Sequence, residues 1–155
     1  MARIAKTESK SVALIDSNVL VYAMVTGYPT KQLHERCLSL LEKGLKGELD
    51  YILALNPIVV VESFSAVRKL LGCDEAESRV GALLRLRRLA FLNISKEACQ
   101  ASVLLAKEKN VPLNDALIVS CAIDHAELIY TMDDEHFRKL EGTGVQIVNP
   151  IKSDF

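Results

Sequence analysis

Five short apolar runs punctuate the chain, each bounded by polar or turn-forming residues: Val12 to Ile15, Tyr51 to Leu55, Ala90 to Ile94, Leu128 to Thr131 and Val145 to Val148. Continuous runs of this length are the mark of strands buried on both faces, as in a parallel sheet. The segments between them repeat their apolar residues at helical spacing. After the second run, Asn56-Pro57 supplies an N-cap followed by proline at the first helical position, and Val60, Phe64, Val67 and Leu71 fall on one stripe. Asp74 and Glu77 have capping-box spacing for a helix ending near Arg88. Ser95 suits the cap of a helix reaching Lys109, and Asn114 that of one running from Asp115 to about His125. Strands alternating with helices imply parallel pairing and right-handed crossovers, hence an α/β/α sandwich.

Composition adds little that would divide this picture. There is no repeat, low-complexity tract or linker, so residues 1–155 read as one domain. A chain of 155 residues, 50% apolar and 25% charged, can bury roughly 70% of its unfolded surface and needs no staple. Cys37, Cys73, Cys99 and Cys121 form no C-x-x-C pair, and each is expected to be a buried reduced thiol. The segment Met1 to Ser11 lacks an apolar core of signal-peptide length, and no apolar run would span a bilayer, so a cytoplasmic protein is expected. Net charge is only −1, so any nucleic-acid contact must rest on a local basic patch.

Open parallel sheets bind ligands beyond the carboxyl ends of their strands, which directs attention to the residues just after each run. The first leads into Asp16-Ser17-Asn18, the second into a helix carrying Glu62, and the fourth into Thr131-Met132-Asp133. Asp115 opens a helix instead, and reaches the same rim only if the connection before it crosses back. Ordinary explanations exist for each: Asp16 as a turn residue, Glu62 as a solvated helix residue, Asp115 as a partner of a helix dipole. Asp133 and Asp134 both suit the cap of a short helix through Phe137 and Leu140, so either is the cap and the other the ligand. Yet Ile58 to Val61 and Ala116 to Val119 are apolar on every side, so both helices are expected to be buried all round, and a carboxylate there needs compensation. Four semi-buried acids without a comparably placed Lys or Arg call for a cation. A hard ion, Mg²⁺ or Mn²⁺, takes oxygen ligands, retains waters and leaves positions for phosphate, which implies phosphodiester hydrolysis.

The ordered set Leu14-Ile15-Asp16-Ser17-Asn18-Val19-Leu20, Glu62 in an apolar helix, Asn114-Asp115-Ala116-Leu117-Ile118 and Thr131-Met132-Asp133 ahead of Phe137 resembles the PIN-domain nucleases, and among them the VapC-type toxins of toxin–antitoxin pairs. The resemblance runs from about Val12 to Pro150. It implies a five-stranded parallel sheet between helices, with Asp16, Glu62, Asp115 and Asp133 as catalytic, metal-binding acids supported by Ser17, Asn18 and Thr131. It further implies an RNA substrate, a homodimer and a small antitoxin protein as partner. The insertion-like Asp134-Glu135-His136 before Phe137 departs from the family pattern.

Other features compete less well. Arg68, Lys69, Arg79, Arg85, Arg87 and Arg88 could grip RNA phosphates, although the last three also suit a helix C-terminus. His34, His125 and His136 lack ligand spacing and are expected at the surface or in caps, outside the mechanism. An aspartyl-phosphate enzyme would also use an aspartate after the first strand, but Asn18 stands where dehalogenase-like phosphatases carry a second aspartate. An RNA-processing nuclease that is not a toxin, or a binding module that has lost cleavage, would share these residues.

Overall fold

The structure, a computed structural model, describes residues 10–155. Residues 1–9, on which the expectation of no signal peptide falls, lie outside the described residues. In chain order the elements are β1 (Ser11–Ile15), α1 (Ser17–Met24), α2 (Lys31–Lys46), β2 (Tyr51–Leu55), α3 (Pro57–Leu71) and α4 (Cys73–Leu84). After these come β3 (Ala90–Phe91), α5 (Lys96–Lys109), α6 (Leu113–His125), β4 (Leu128–Tyr130), α7 (Asp134–Arg138) and β5 (Gln146–Val148).

The strands form one five-stranded sheet in the order β3-β2-β1-β4-β5, and every pairing is parallel. Successive strand residues point to opposite faces, yet Ala13, Leu14 and Ile15 are all buried, as are Leu53, Ala54, Leu55 and Leu128, Ile129, Tyr130. Both faces are therefore covered by helices, giving the expected α/β/α layering. From β1 the chain builds outward through β2 to β3, then returns to the other side of β1 for β4. The crevice between the carboxyl ends of β1 and β4 is thus the topological switch point.

Local chemistry explains most boundaries. Asn56 caps α3 by accepting from the Val59 N–H at 2.9 Å, with Pro57 behind it, and Ser95 caps α5 by accepting from the Ala98 N–H at 3.0 Å. Other expectations need correction. The Asp74–Glu77 capping box does not form, because Gly72, with φ +93°, ends α3 and starts α4 directly at Cys73. Asp74 and Glu75 instead complement the α4 dipole, and the helix stops at Leu84, short of Arg88. Helix α6 begins at Leu113 behind Pro112, which places Asn114 inside the first turn and not at the cap. Strand β3 is an edge strand of two residues, against the five expected from Ala90 to Ile94. The first turns of α3 are not buried all round, since Val61 is 62% exposed, and Leu71 of the expected stripe is also exposed. Among the cysteines all are free, and only Cys37 and Cys121 are buried; Cys73 opens α4 and Cys99 lies on the outer side of α5, both exposed. Among the described residues no helix is long and apolar enough to cross a membrane.

Candidate active site

Asp16 comes directly after β1 and is only 4% exposed. It is the N-cap of α1: Oδ1 accepts from the Ser17 N–H at 2.7 Å, while Oδ2 accepts from the Thr131 hydroxyl at 2.8 Å. The backbone supports the placement, because the Asp16 N–H donates to the Tyr130 carbonyl at 2.9 Å and so ties the end of β1 to β4. Thr131, fully buried, also accepts from the Asp133 N–H at 3.0 Å. One hydroxyl thereby fixes the spacing between two of the acids. Asn18 accepts from the Met132 N–H at 3.1 Å, holding the loop after β4 against the start of α1.

Glu62 lies in the second turn of α3 and is half-buried. Its Oε2 accepts from the Ser17 hydroxyl at 3.0 Å, and its Oε1 is buried without a hydrogen-bond partner. Asp115 occupies the first turn of α6. The crossover that its position required is supplied by α5 and α6, which are joined by residues 110–112 and pack along each other. Since α6 ends just before β4 begins, its start lies at the carboxyl rim. Asp133 caps α7 by accepting from the His136 N–H at 3.3 Å. It is therefore both the cap and a member of the cluster; the side chain of its rival, Asp134, lies outside the described residues.

Electrostatics shows the four as one group. Burial pushes Asp16 up from 3.8 to about 6, against the pull of its Thr131 and Ser17 hydrogen bonds, and the charges of Glu62 and Asp133 add to the rise. Burial likewise raises Asp115 to about 6, helped by Asp16 and Asp133. Glu62 is raised by burial and by Asp115, with the Ser17 hydroxyl opposing. Among the described residues no lysine or arginine is among the charges acting on these three acids, and the basic side chain beside them is the His136 imidazole. Its Nδ1 stands 2.8 Å from Asp133 Oδ2 and 3.9 Å from Asp115 Oδ2. The sequence places every histidine at the surface or in a cap; His136 is exposed on α7, and the structure adds that it touches two of the acids. His34, whose Nδ1 is 2.7 Å from the Tyr22 carbonyl, and His125, closing α6, stay outside the site. The signal for His136 is its position three residues after Asp133 on one helical turn, where side chains meet.

Whether these residues suit a divalent ion can be tested on the donor set. Among the described residues no three His, Cys, Asp or Glu groups already stand as a cage that could hold a metal ion. A hard cation such as Mg²⁺ does not need one, since it keeps several waters and takes one or two carboxylates directly. The unpartnered Glu62 Oε1 and the raised carboxylates beside it are oxygen donors whose repulsion a cation would relieve. The residues fit.

The basic residues do not form one patch. Arg68 and Lys69 close α3, Arg85 caps α4, and Arg79 is bound to Glu75 at 2.8 Å and to the Met24 carbonyl. Because α4 ends early, Arg87 and Arg88 leave its C-terminus and stand by the amino ends of the strands.

Comparison with known proteins bears on the fold and the family. A search of curated proteins by sequence finds no match. Among solved structures, the chain is similar to VapBC2 of Rickettsia felis bound to a promoter DNA fragment, with 22% identity, TM-score 0.66 and coverage of 89% of this chain and 98% of that one. The Mycobacterium tuberculosis VapC20 toxin, described as cleaving the sarcin–ricin loop, is similar at 11% identity and TM-score 0.64, covering 81% and 93%. A toxin–antitoxin complex from Klebsiella pneumoniae is similar at 22% identity and TM-score 0.62, covering 89% and 97%. These likenesses share the fold. The family model of the PIN domain matches residues 13–142, a span that contains all four acids, and the chain belongs to the PIN-domain family.

Proposed function

We propose that this chain is a metal-dependent endoribonuclease that hydrolyses RNA phosphodiester bonds, with Mg²⁺ or Mn²⁺ held by Asp16, Glu62, Asp115 and Asp133. The observation that carries the proposal is the convergence of these acids in one electrostatic field at the switch point of the sheet, with no lysine or arginine among the described residues acting on Asp16, Glu62 or Asp115. When bound, such a cation supplies activation of water and neutralisation of charge on the phosphate. Asp16, fixed on both oxygens by Ser17 and Thr131, is the rigid member of the set. Glu62 is aimed by the Ser17 hydroxyl and keeps Oε1 free to coordinate. Asp115, at about 6, is suited to take a proton near neutral pH.

The same reading makes the chain the toxin of a toxin–antitoxin pair, acting as a homodimer and restrained by a small antitoxin protein. Membership of the PIN-domain family and the likeness to a toxin–antitoxin complex support it. Mn²⁺-dependent cleavage of a mixed RNA pool by the parent and by Asp16→Asn tests the catalytic part. The parent is expected to cut and the variant to be silent; equal cleavage by both would overturn the site. Growth arrest on expression without a partner tests the toxin part, and light scattering the dimer.

A further inference from the structure

A second cleft, of about 470 Å³, opens at the opposite edge of the sheet. Tyr51 begins β2 and Lys10 precedes β1, so the cleft lies at the amino ends of the strands, about 17 Å from the acids along a five-residue strand. Its volume falls in the range of small-ligand sites. Lys10, Arg87 and Arg88 line it, and among the described residues its lining contains no carboxylate.

The three cations are not equivalent. Lys10 is spent on structure, donating to the Gly47 carbonyl at 2.9 Å and the Leu49 carbonyl at 2.7 Å just past the end of α2. Among the described residues Arg87 and Arg88 have neither an ion pair nor a hydrogen bond. A Cβ at Gly47 would lie 2.8 Å from Arg88 Nη1, so the guanidinium occupies room that only a glycine leaves there. Tyr51 and Ile52 both line the cleft at the start of β2, their side chains on opposite faces of the strand, with Ile52 38% exposed. Two guanidinium groups, unpaired among the described residues and beside Tyr51 and Ile52, fit a ligand with a flat, weakly polar body and an anionic end. A nucleotide has both, and base stacking on tyrosine and arginine tolerates any sequence.

We propose that this cleft binds a nucleotide unit of single-stranded RNA, its phosphate on Arg87 and Arg88 and its base against Tyr51, as a second contact for a strand cut at the carboxylate rim. The proposal rests on the ribonuclease reading for its substrate, but its test needs no cleavage.

Anisotropy of a 5′-fluorescein uridine 12-mer is measured in EDTA across a salt series for the parent, the Arg87→Gln/Arg88→Gln double variant, and Ile52→Glu, which places a carboxylate in the cleft. The parent is expected to bind. Both variants are expected to bind at least about tenfold more weakly, and the double variant to lose about 1.4 from the slope of log affinity against log salt, two contacts at ~0.7 each for a single strand. Affinity and slope unchanged in the double variant, with melting profiles matching the parent, would overturn the proposal. So would binding of a labelled oligo-glutamate peptide, in place of RNA, with the same dependence on the arginines, because the cleft would then serve an acidic protein segment. RNA binding that needs the arginines in a protein that cuts nothing would sink the ribonuclease reading alone. Parental affinity in a double variant that still cuts would sink the cleft alone.

Discussion

At the carboxyl ends of β1 and β4 the molecule concentrates negative charge in a half-buried crevice; at the amino ends of β1 and β2 it exposes positive charge around an open cleft. The two regions are built from the same strands, yet their energetics differ in kind. Asp16, Glu62 and Asp115 are desolvated and repel one another, with Ser17, Thr131 and backbone N–H groups offsetting part of the cost. Arg87 and Arg88 remain solvated and carry little such cost. Stability and function are therefore opposed at the rim and nearly independent at the amino edge. The comparison also explains why a net charge of −1 said nothing about partners, since opposite charges at the two ends cancel in the total.

The harshest trial of this contrast is Asp16→Asn. Losing a supporting residue around a metal costs about 10–100-fold, so on the proposed function, in which Asp16 is a direct ligand, the change is expected to lower Mn²⁺-dependent cleavage more than ~100-fold. The same change is expected to stabilise the metal-free protein at neutral pH. In the fold Asp16 binds its proton up to about 6, against an ordinary 3.8, so between those values the folded protein holds a proton that the unfolded chain has released. That contribution is complete below the ordinary carboxylate range and is lost as pH rises through about 6; it amounts to roughly 3 kcal/mol for a shift of about two units. Asp115 and Glu62 act in the same direction.

Calorimetry in EDTA at pH 4.5 and 7.5 checks this second outcome. The parent is expected to melt lower at pH 7.5, Asp16→Asn to show a shallower decline, and Mn²⁺ to restore the parent far more at pH 7.5 than at 4.5. A parent melting temperature that rises with pH in EDTA, to the same degree in both proteins, would break the picture of a strained rim.

Legibility in the residues alone divides along a physical line. Elements announced by local chemistry were legible: Asn56-Pro57 and Ser95 at helix starts, and the apolar runs of β1, β2 and β4. Asp16 and Asp133 were also legible as site candidates, because they come after strands whose carboxyl ends must converge. Features set by one backbone dihedral or by distant packing were not. Gly72 places the start of α4, and no residue-type rule separates its left-handed turn from an Asp74 cap. The position of Asp115 depends on α5 and α6 folding back on each other. Val61 looks like a core residue because Ile58 to Val61 is apolar on every side, but it faces solvent. The approach of His136 to Asp115 and the split of the basic residues belong to the same class, fixed by where α7 and the end of α4 lie.

A finer division within the rim comes from Thr131→Val, which keeps the shape of the side chain and removes the hydroxyl shared by Asp16 Oδ2 and the Asp133 N–H. Its loss leaves buried polar partners unmatched, at about 1–3 kcal/mol of stability. It also frees the spacing between the two acids, so cleavage is expected to fall about 10–100-fold, as for other supporting residues of a metal site. The pH at which the metal-free protein loses stability should shift upward too, because the hydroxyl was holding the Asp16 pKa down. Activity equal to the parent would mean that Thr131 merely fills space.

The smallest effect is expected at the other edge, from Lys10→Gln. Its ammonium serves the carbonyls of Gly47 and Leu49 beyond the end of α2, so the substitution is expected to cost about 1 kcal/mol in urea titrations. Because that charge is already engaged by the protein, RNA affinity in EDTA is expected to fall much less than in the double arginine variant. If Lys10→Gln instead matched that variant in affinity and salt slope while leaving stability intact, the division of labour among the three cations would be wrong, and the amino edge would act as a diffuse field in which Arg87 and Arg88 hold no special position.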